Sequence, residues 1–218
     1  MSRIHFKILT LFAVVILCLS ATAFAADKTT DVSEVSHAEF YLGNEKSEYP
    51  FVRTADFDAS YKINRDIENY LADMRAAFDS AANVTSKFEY KLCYEDSKTV
   101  SLTFNEYRYY DRAAHGDYKI HGVVYNKETG DKVPLENYLK ITPQQLQELI
   151  DNNTAKVYGG DGNALLSASD INKIKYISAD YYLTNRPDGM YIGIIYPPYE
   201  LAPWSTGIIN ILVPMPKG

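Results

Sequence analysis

The chain has 218 residues, with 22 basic and 28 acidic side chains, a formal charge of −6 and 2 cysteines. That acidic balance argues against nucleic acid or an anionic membrane surface as a partner and favours neutral or cationic ones.

The first segment has the layout of a secretory signal peptide. Arg3 and Lys7 precede an apolar run from Ile8 to Leu19, and the small-residue stretch Ala21-Thr22-Ala23-Phe24-Ala25-Ala26 follows. Positive start, short apolar middle and an Ala-x-Ala site give export with cleavage after Ala25. The apolar run is too short to cross a bilayer comfortably. Bulky Val15-Ile16-Leu17 before Cys18 argues against a lipoprotein signal. Cleavage leaves 193 residues, enough for one domain with a real core. It removes two bases, Arg3 and Lys7, and no acid, so 20 basic and 28 acidic side chains remain and the charge becomes −8. One cysteine, Cys93, is then left, so no intramolecular disulfide is possible.

Residues 26–35 are polar and acidic and read as a flexible tether, ahead of a single domain over 36–218. His37 to Thr54 looks extended, with Phe40-Tyr41-Leu42 and Tyr49-Pro50-Phe51-Val52 as strand candidates. Ile63, Ile67, Tyr70, Leu71, Met74 and Phe78 recur at helical spacing, which predicts a long amphipathic helix from about Ala59 to Ala81. Three strands follow. Phe88, Tyr90, Leu92 and Tyr94 alternate with charged residues, placing Cys93 half-exposed. Thr99 to Tyr110 and Tyr118 to Tyr125 complete an antiparallel meander whose apolar face the long helix covers.

Residues 36–130 thus form a helix-plus-meander half and 131–218 a second half where helices return. Thr142-Pro143-Gln144-Gln145 combines an N-cap, a first-turn proline and a capping glutamine. A glycine-rich loop covers Tyr158 to Asn163, and Ser169 to Tyr176 is a short helix candidate. Strands are expected at Tyr181 to Thr184, Met190 to Tyr196 and Ile208 to Val213. The fold class is α+β: a mostly antiparallel sheet packed against one long amphipathic helix, with further short helices in the second half.

No His-Glu-x-x-His, Cys-x-x-Cys, phosphate-binding loop or Gly-x-Ser-x-Gly elbow occurs, so no catalytic residue, metal or cofactor is assigned. Gly159 to Asn163 lacks the later acidic ligand of a calcium loop. The stretch from Tyr107 to Gly122 holds His115 and His121 among four tyrosines and reads as a hairpin. His115 beside Asp111 or Asp117 has the makings of a base and its orienter, but no motif places a nucleophile. His115 and His121 would lie about 20 Å apart on an extended strand, too far for one ion. His115 is therefore expected to bond the turn backbone. Tyr196-Pro197-Pro198-Tyr199-Glu200-Leu201-Ala202-Pro203-Trp204 is a stiff aromatic loop, either a contact surface or a plug for the end of the core. Ligand-binding candidates are Tyr110, His115, Tyr196, Tyr199, Glu200 and Trp204. The 19 tyrosines suit wet groove walls and half-buried strand faces alike.

Tyr110 to Gly116 ahead of a strand, Thr129-Gly130 with Val133-Pro134-Leu135, and Tyr199 to Gly207 near the end resemble one family in residues, order and spacing. It is the paired domain of unknown function in the extracellular part of the lysozyme-sensing anti-sigma-V factor, also found in front of some peptidoglycan deacetylases. The resemblance runs from about Tyr49 to Pro214. Arg112 and Ala113 stand where that family has two glycines, so the turn geometry is expected to differ, and Trp204 stands where a tyrosine is common. The chain carries neither the spanning helix of the first relative nor the catalytic domain of the second. What the resemblance implies is a free-standing exported module, periplasmic or extracellular, binding a cationic protein such as lysozyme. The alternatives are a cell-wall glycan as ligand and, behind it, a hydrolase using His115.

Overall fold

The computed structural model describes residues 34–43, 45–79, 84–160, 162 and 164–215. The expected leader, and the expected tether up to residue 33, lie outside the described residues. The first strand, β1 (Val35–Leu42), pairs antiparallel with β2 (Glu45–Val52). Val35, the last tether residue of the sequence reading, already belongs to β1.

Helix α1 (Phe57–Asp79) begins where the Asp56 carboxylate accepts the Ala59 N–H at 2.8 Å, a side-chain N-cap. Its buried stripe is Ala59, Ile63, Ile67, Leu71 and Met74. The Asn64 side chain exchanges two hydrogen bonds with the Val52 backbone, 2.8 and 2.7 Å, and so ties the helix to β2.

The meander forms as expected, from β3 (Val84–Glu95), β4 (Thr99–Tyr110) and β5 (Asp117–Asn126). Val100, Leu102, Phe104, Val123 and Tyr125 pack with Phe88 against the α1 stripe and β1–β2. One detail departs from simple alternation. A bulge between Leu92 and Tyr94 shifts the β3 register, so Leu92 faces Leu102 but Tyr94 faces Ser101. The extra residue turns Tyr94 to the opposite side of the sheet, into the second core, while Tyr90 and Leu92 stay with the first.

The second layer is a five-stranded antiparallel sheet ordered β7-β6-β10-β9-β8. Its strands are β6 (Lys156–Gly159), β7 (Ala164–Leu166), β8 (Tyr181–Arg186), β9 (Gly189–Tyr196) and β10 (Ile209–Pro214). Of the stretch read as a glycine-rich loop, Tyr158 and Gly159 belong to β6, and residues 161 and 163 lie outside the described residues. Helix α2 (Pro143–Asp151) carries the expected capping box between Thr142 and Gln145, and sets Leu146 and Ile150 against Val157, Leu183, Ile192, Ile194 and Ile211.

The short helix expected over Ser169 to Tyr176 does not form. A single 3-10 turn covers Ala168–Asp170, and Ile171 is extended at φ −125° and ψ 154°. The following N–H groups are satisfied elsewhere: Asn172 donates to the Leu201 carbonyl and Ile174 to Gln147 Oε1. The second half therefore has one α-helix and three 3-10 turns among the described residues.

The two sheets meet along β8. The Leu183 N–H donates to Ser101 Oγ at 2.9 Å, and the Gly122 N–H to Asp180 Oδ1 at 3.2 Å. A Cβ on Gly122 would stand 2.6 Å from the Tyr181 carbonyl oxygen, so this approach requires glycine. Among the described residues no helix is long and apolar enough to cross a membrane.

Candidate functional site

Two segments far apart in sequence converge at the tip of the β4–β5 hairpin. Its turn closes with the Ala113 N–H donating to the Tyr110 carbonyl at 2.9 Å, and Arg112 takes φ 67°. The turn thus places Arg112, a residue with a side chain, in the left-handed region that favours glycine. A side chain costs energy in that conformation.

The aromatic loop arrives from the other side. Tyr199 is also left-handed, at φ 73°, and its N–H donates to the Ala202 carbonyl at 3.1 Å. Leu201 and Ala202 sink into the second core, while Trp204 opens a 3-10 turn, Trp204–Thr206. The loop divides by residue. Leu201 and Ala202 plug the core, and Tyr199, Glu200 and Trp204 lie at the surface or partly so.

The meeting point is the Gly116 carbonyl. It accepts from Trp204 Nε1 at 3.2 Å and from His115 Nδ1 at 2.8 Å, using both lone pairs. A carbonyl only accepts, so Nδ1 carries a proton, and in the neutral imidazole Nε2 is the acceptor for the Tyr199 hydroxyl at 2.9 Å. The imidazole stacks on the Trp204 indole, centroids 4.3 Å apart and planes 24° off parallel, and Tyr118 flanks the indole at 6.2 Å. His115 serves the turn backbone, as the sequence suggested, and also holds Tyr199 in place.

The remaining candidates divide. Glu200 accepts a hydrogen bond from the Tyr176 hydroxyl, and burial together with that carboxylate pushes the Tyr176 pKa up. Tyr110 is 42% exposed at the end of β4, outside the stacked group. Tyr196 is a correction: it is 0% exposed and its hydroxyl donates to the Tyr176 carbonyl at 2.8 Å, so it packs the core and offers no surface to a ligand. Sequence reasoning missed Tyr118 and Tyr176. Tyr118 was legible as the cross-strand partner of Tyr107, whereas nothing local marks Tyr176.

His121 lies apart from His115. It contacts the Tyr70 ring at 5.0 Å and Asp180 Oδ1 at 3.4 Å, beside α1. His115 precedes the first residue of β5, so strand alternation does not relate the two. No group of histidine, cysteine and acidic residues could hold a metal ion among the described residues.

No family model matches the chain, and no curated protein matches it. Solved structures do. A DUF3298 family protein from Pseudomonas aeruginosa PAO1 superposes with a TM-score of 0.55 at 15% identity, over 83% of this chain and 89% of that one. The fold is that of a DUF3298 protein. A second member, from Bacteroides fragilis NCTC 9343, gives a TM-score of 0.48 at 13% identity, over 84% and 89% of the two chains. DUF3298 is a domain family without an assigned function, so what carries over to this chain is its architecture alone.

Proposed function

We propose that this chain is an exported, non-enzymatic binding module of the cell envelope whose Tyr199–His115–Trp204 surface seats a cationic protein such as lysozyme. The observation that carries the reading is Tyr199. It is 64% exposed, held in a conformation unfavourable to any side chain but glycine, and bonded to an imidazole that is itself stacked on Trp204. Strained, exposed and rigid together is the signature of a pre-organised contact rather than of a packing residue. Both nitrogens of His115 are engaged, so the imidazole holds the turn and Tyr199 in one arrangement. Asp111, Asp117 and Glu200 are exposed around it, as are the cations Arg112, Lys119 and Lys175. The charge of −8 after leader removal favours a basic partner, and the resemblance to the extracellular domain of the lysozyme-sensing anti-sigma-V factor supplies its class.

A cell-wall glycan is the second reading, favoured by the exposed ring faces of Tyr199 and Tyr110. Titration of the purified chain with lysozyme and with soluble peptidoglycan fragments separates them. Lysozyme association should slow as salt rises to physiological strength, where the Debye length is about 8 Å, whereas glycan binding should barely respond. Trp204→Ala should mainly speed lysozyme dissociation, because a partly buried anchor acts after encounter. Absence of lysozyme binding at low salt would leave the glycan reading in its place.

A further inference from the structure

We propose that the cleft between the three-stranded and five-stranded sheets is a second binding site, one that takes a small saccharide unit. Beside the β8 seam the facing sheets enclose a volume of about 410 Å³. That lies within the range of ~300–1,000 Å³ typical of small-molecule sites.

Its walls are built from both sheets. Thr103 and Asn105 of β4 and Ile120 of β5 face Tyr182 and Thr184 of β8 and Asn210 of β10. The Oδ1 atom of Asn105 is buried and has no hydrogen-bond partner among the described residues. A buried acceptor without a partner is costly, and such groups in a folded protein call for an explanation. Asn105 lines a cleft where the side chains of Tyr182, Thr184 and Asn210 make no hydrogen bond among the described residues. Burial pushes the Tyr182 hydroxyl up to about 12, which keeps it a donor at any physiological pH. The Tyr182 ring lies on Gly193, where a Cβ would come within 2.3 Å of it, so the hydroxyl is held in position.

The chemistry narrows the ligand. Two carboxamides, two threonine hydroxyls and a phenol supply neutral donors and acceptors from opposite walls, and Ile120 supplies a short apolar face. A sugar ring has that pattern: hydroxyls around the rim and C–H groups on one face. The charged side chains at the lining are largely committed elsewhere. Glu89 pairs with Lys87, and Arg186 donates to the Tyr158 hydroxyl at 3.2 Å and lies over its ring. Lys91 is the remaining charge, too little to demand a phosphate or another polyanion.

This site does not depend on the reading of the Trp204 surface, and its test keeps the two apart. The purified chain is titrated calorimetrically with N,N′-diacetylchitobiose and with cellobiose, as wild type, Tyr182→Phe, Asn210→Leu and Trp204→Ala, each checked for native circular dichroism. Saturable binding of either disaccharide is expected, weakened about tenfold by Tyr182→Phe or Asn210→Leu, the order of one hydrogen bond. Trp204→Ala should bind as wild type. The proposal falls if neither disaccharide binds at the limit of solubility. It falls equally if both cleft variants bind as wild type, or if Trp204→Ala alone abolishes binding.

Discussion

The Tyr199 hydroxyl donates to His115 Nε2 at 2.9 Å across 84 positions of sequence, and this bond joins the aromatic loop to the β4–β5 turn. Tyr199→Phe should keep the ring and lose the link, costing about 0.5–1.5 kcal/mol in denaturant unfolding. His115→Ala removes the same bond, the bond to Gly116 and the stack on Trp204, so it should cost more, about 2 kcal/mol. The far-ultraviolet spectrum should stay native in both. A hydrolytic activity abolished by His115→Ala in an intact fold would contradict the structural role given to this residue.

Gly122→Ala should be among the most destabilising single-methyl additions in the chain. The new Cβ would press on the Tyr181 carbonyl, and because that atom is backbone the two sheets must part to make room. A loss of about 1–3 kcal/mol is expected from overpacking. Thermal unfolding of this variant beside Gly160→Ala, where nothing lies within 4 Å but the backbone is left-handed, would separate inter-sheet crowding from conformational strain.

Lys127 is 6% exposed and its ammonium lies 2.7 Å from Glu34 and 3.1 Å from Glu95, so it fastens the entry of β1 to the β3–β4 turn. Lys127→Met should cost about 3 kcal/mol, because the carboxylates are left without their partner. Burial works against the charge, yet the hydrogen bonds that the ammonium donates to Glu34 and Glu95 outweigh it and raise the Lys127 pKa above its ordinary 10.5. A raised pKa in the fold means the stabilisation is complete below 10.5 and is lost as the pH climbs through the folded value. Unfolding midpoints of wild type and variant should therefore converge only in strong alkali, and a gap that closes between neutrality and pH 10 would refute the pairing.

Arg112→Gly should be neutral to stabilising by about 1 kcal/mol. Relief of a left-handed side chain at φ 67° offsets the extra backbone freedom that glycine brings to the unfolded chain. Arg112→Val should be destabilising, because a branched Cβ suits that region least. Equal midpoints for the two variants would count against a strained turn.

Much of the framework was legible because it is local. The Ile63, Ile67, Leu71 and Met74 spacing wrote α1, Thr142 through Gln145 wrote the start of α2, and alternation in Val100, Leu102 and Phe104 wrote the face that meets α1. Local signals failed where a partner elsewhere in the chain took over. The Leu92–Tyr94 bulge sends Tyr94 to the other core, which alternation alone does not reveal, and Asn172 and Ile174 bond to Leu201 and Gln147 instead of closing a helix.

The same division governs the sites. Sequence by itself singled out His115, Tyr199 and Trp204 as unusual residues, since turn chemistry and aromatic-proline composition are written in neighbouring positions. It did not say that they touch, that Tyr196 belongs to the core, or that Asn105, Tyr182 and Asn210 line one cleft. Those facts depend on how two sheets are laid together along β8, where Gly122 lets the backbones approach and Ser101 receives the Leu183 N–H. Contacts between layers join residues some 60 to 90 positions apart, and no periodicity within a single strand or helix encodes such a meeting.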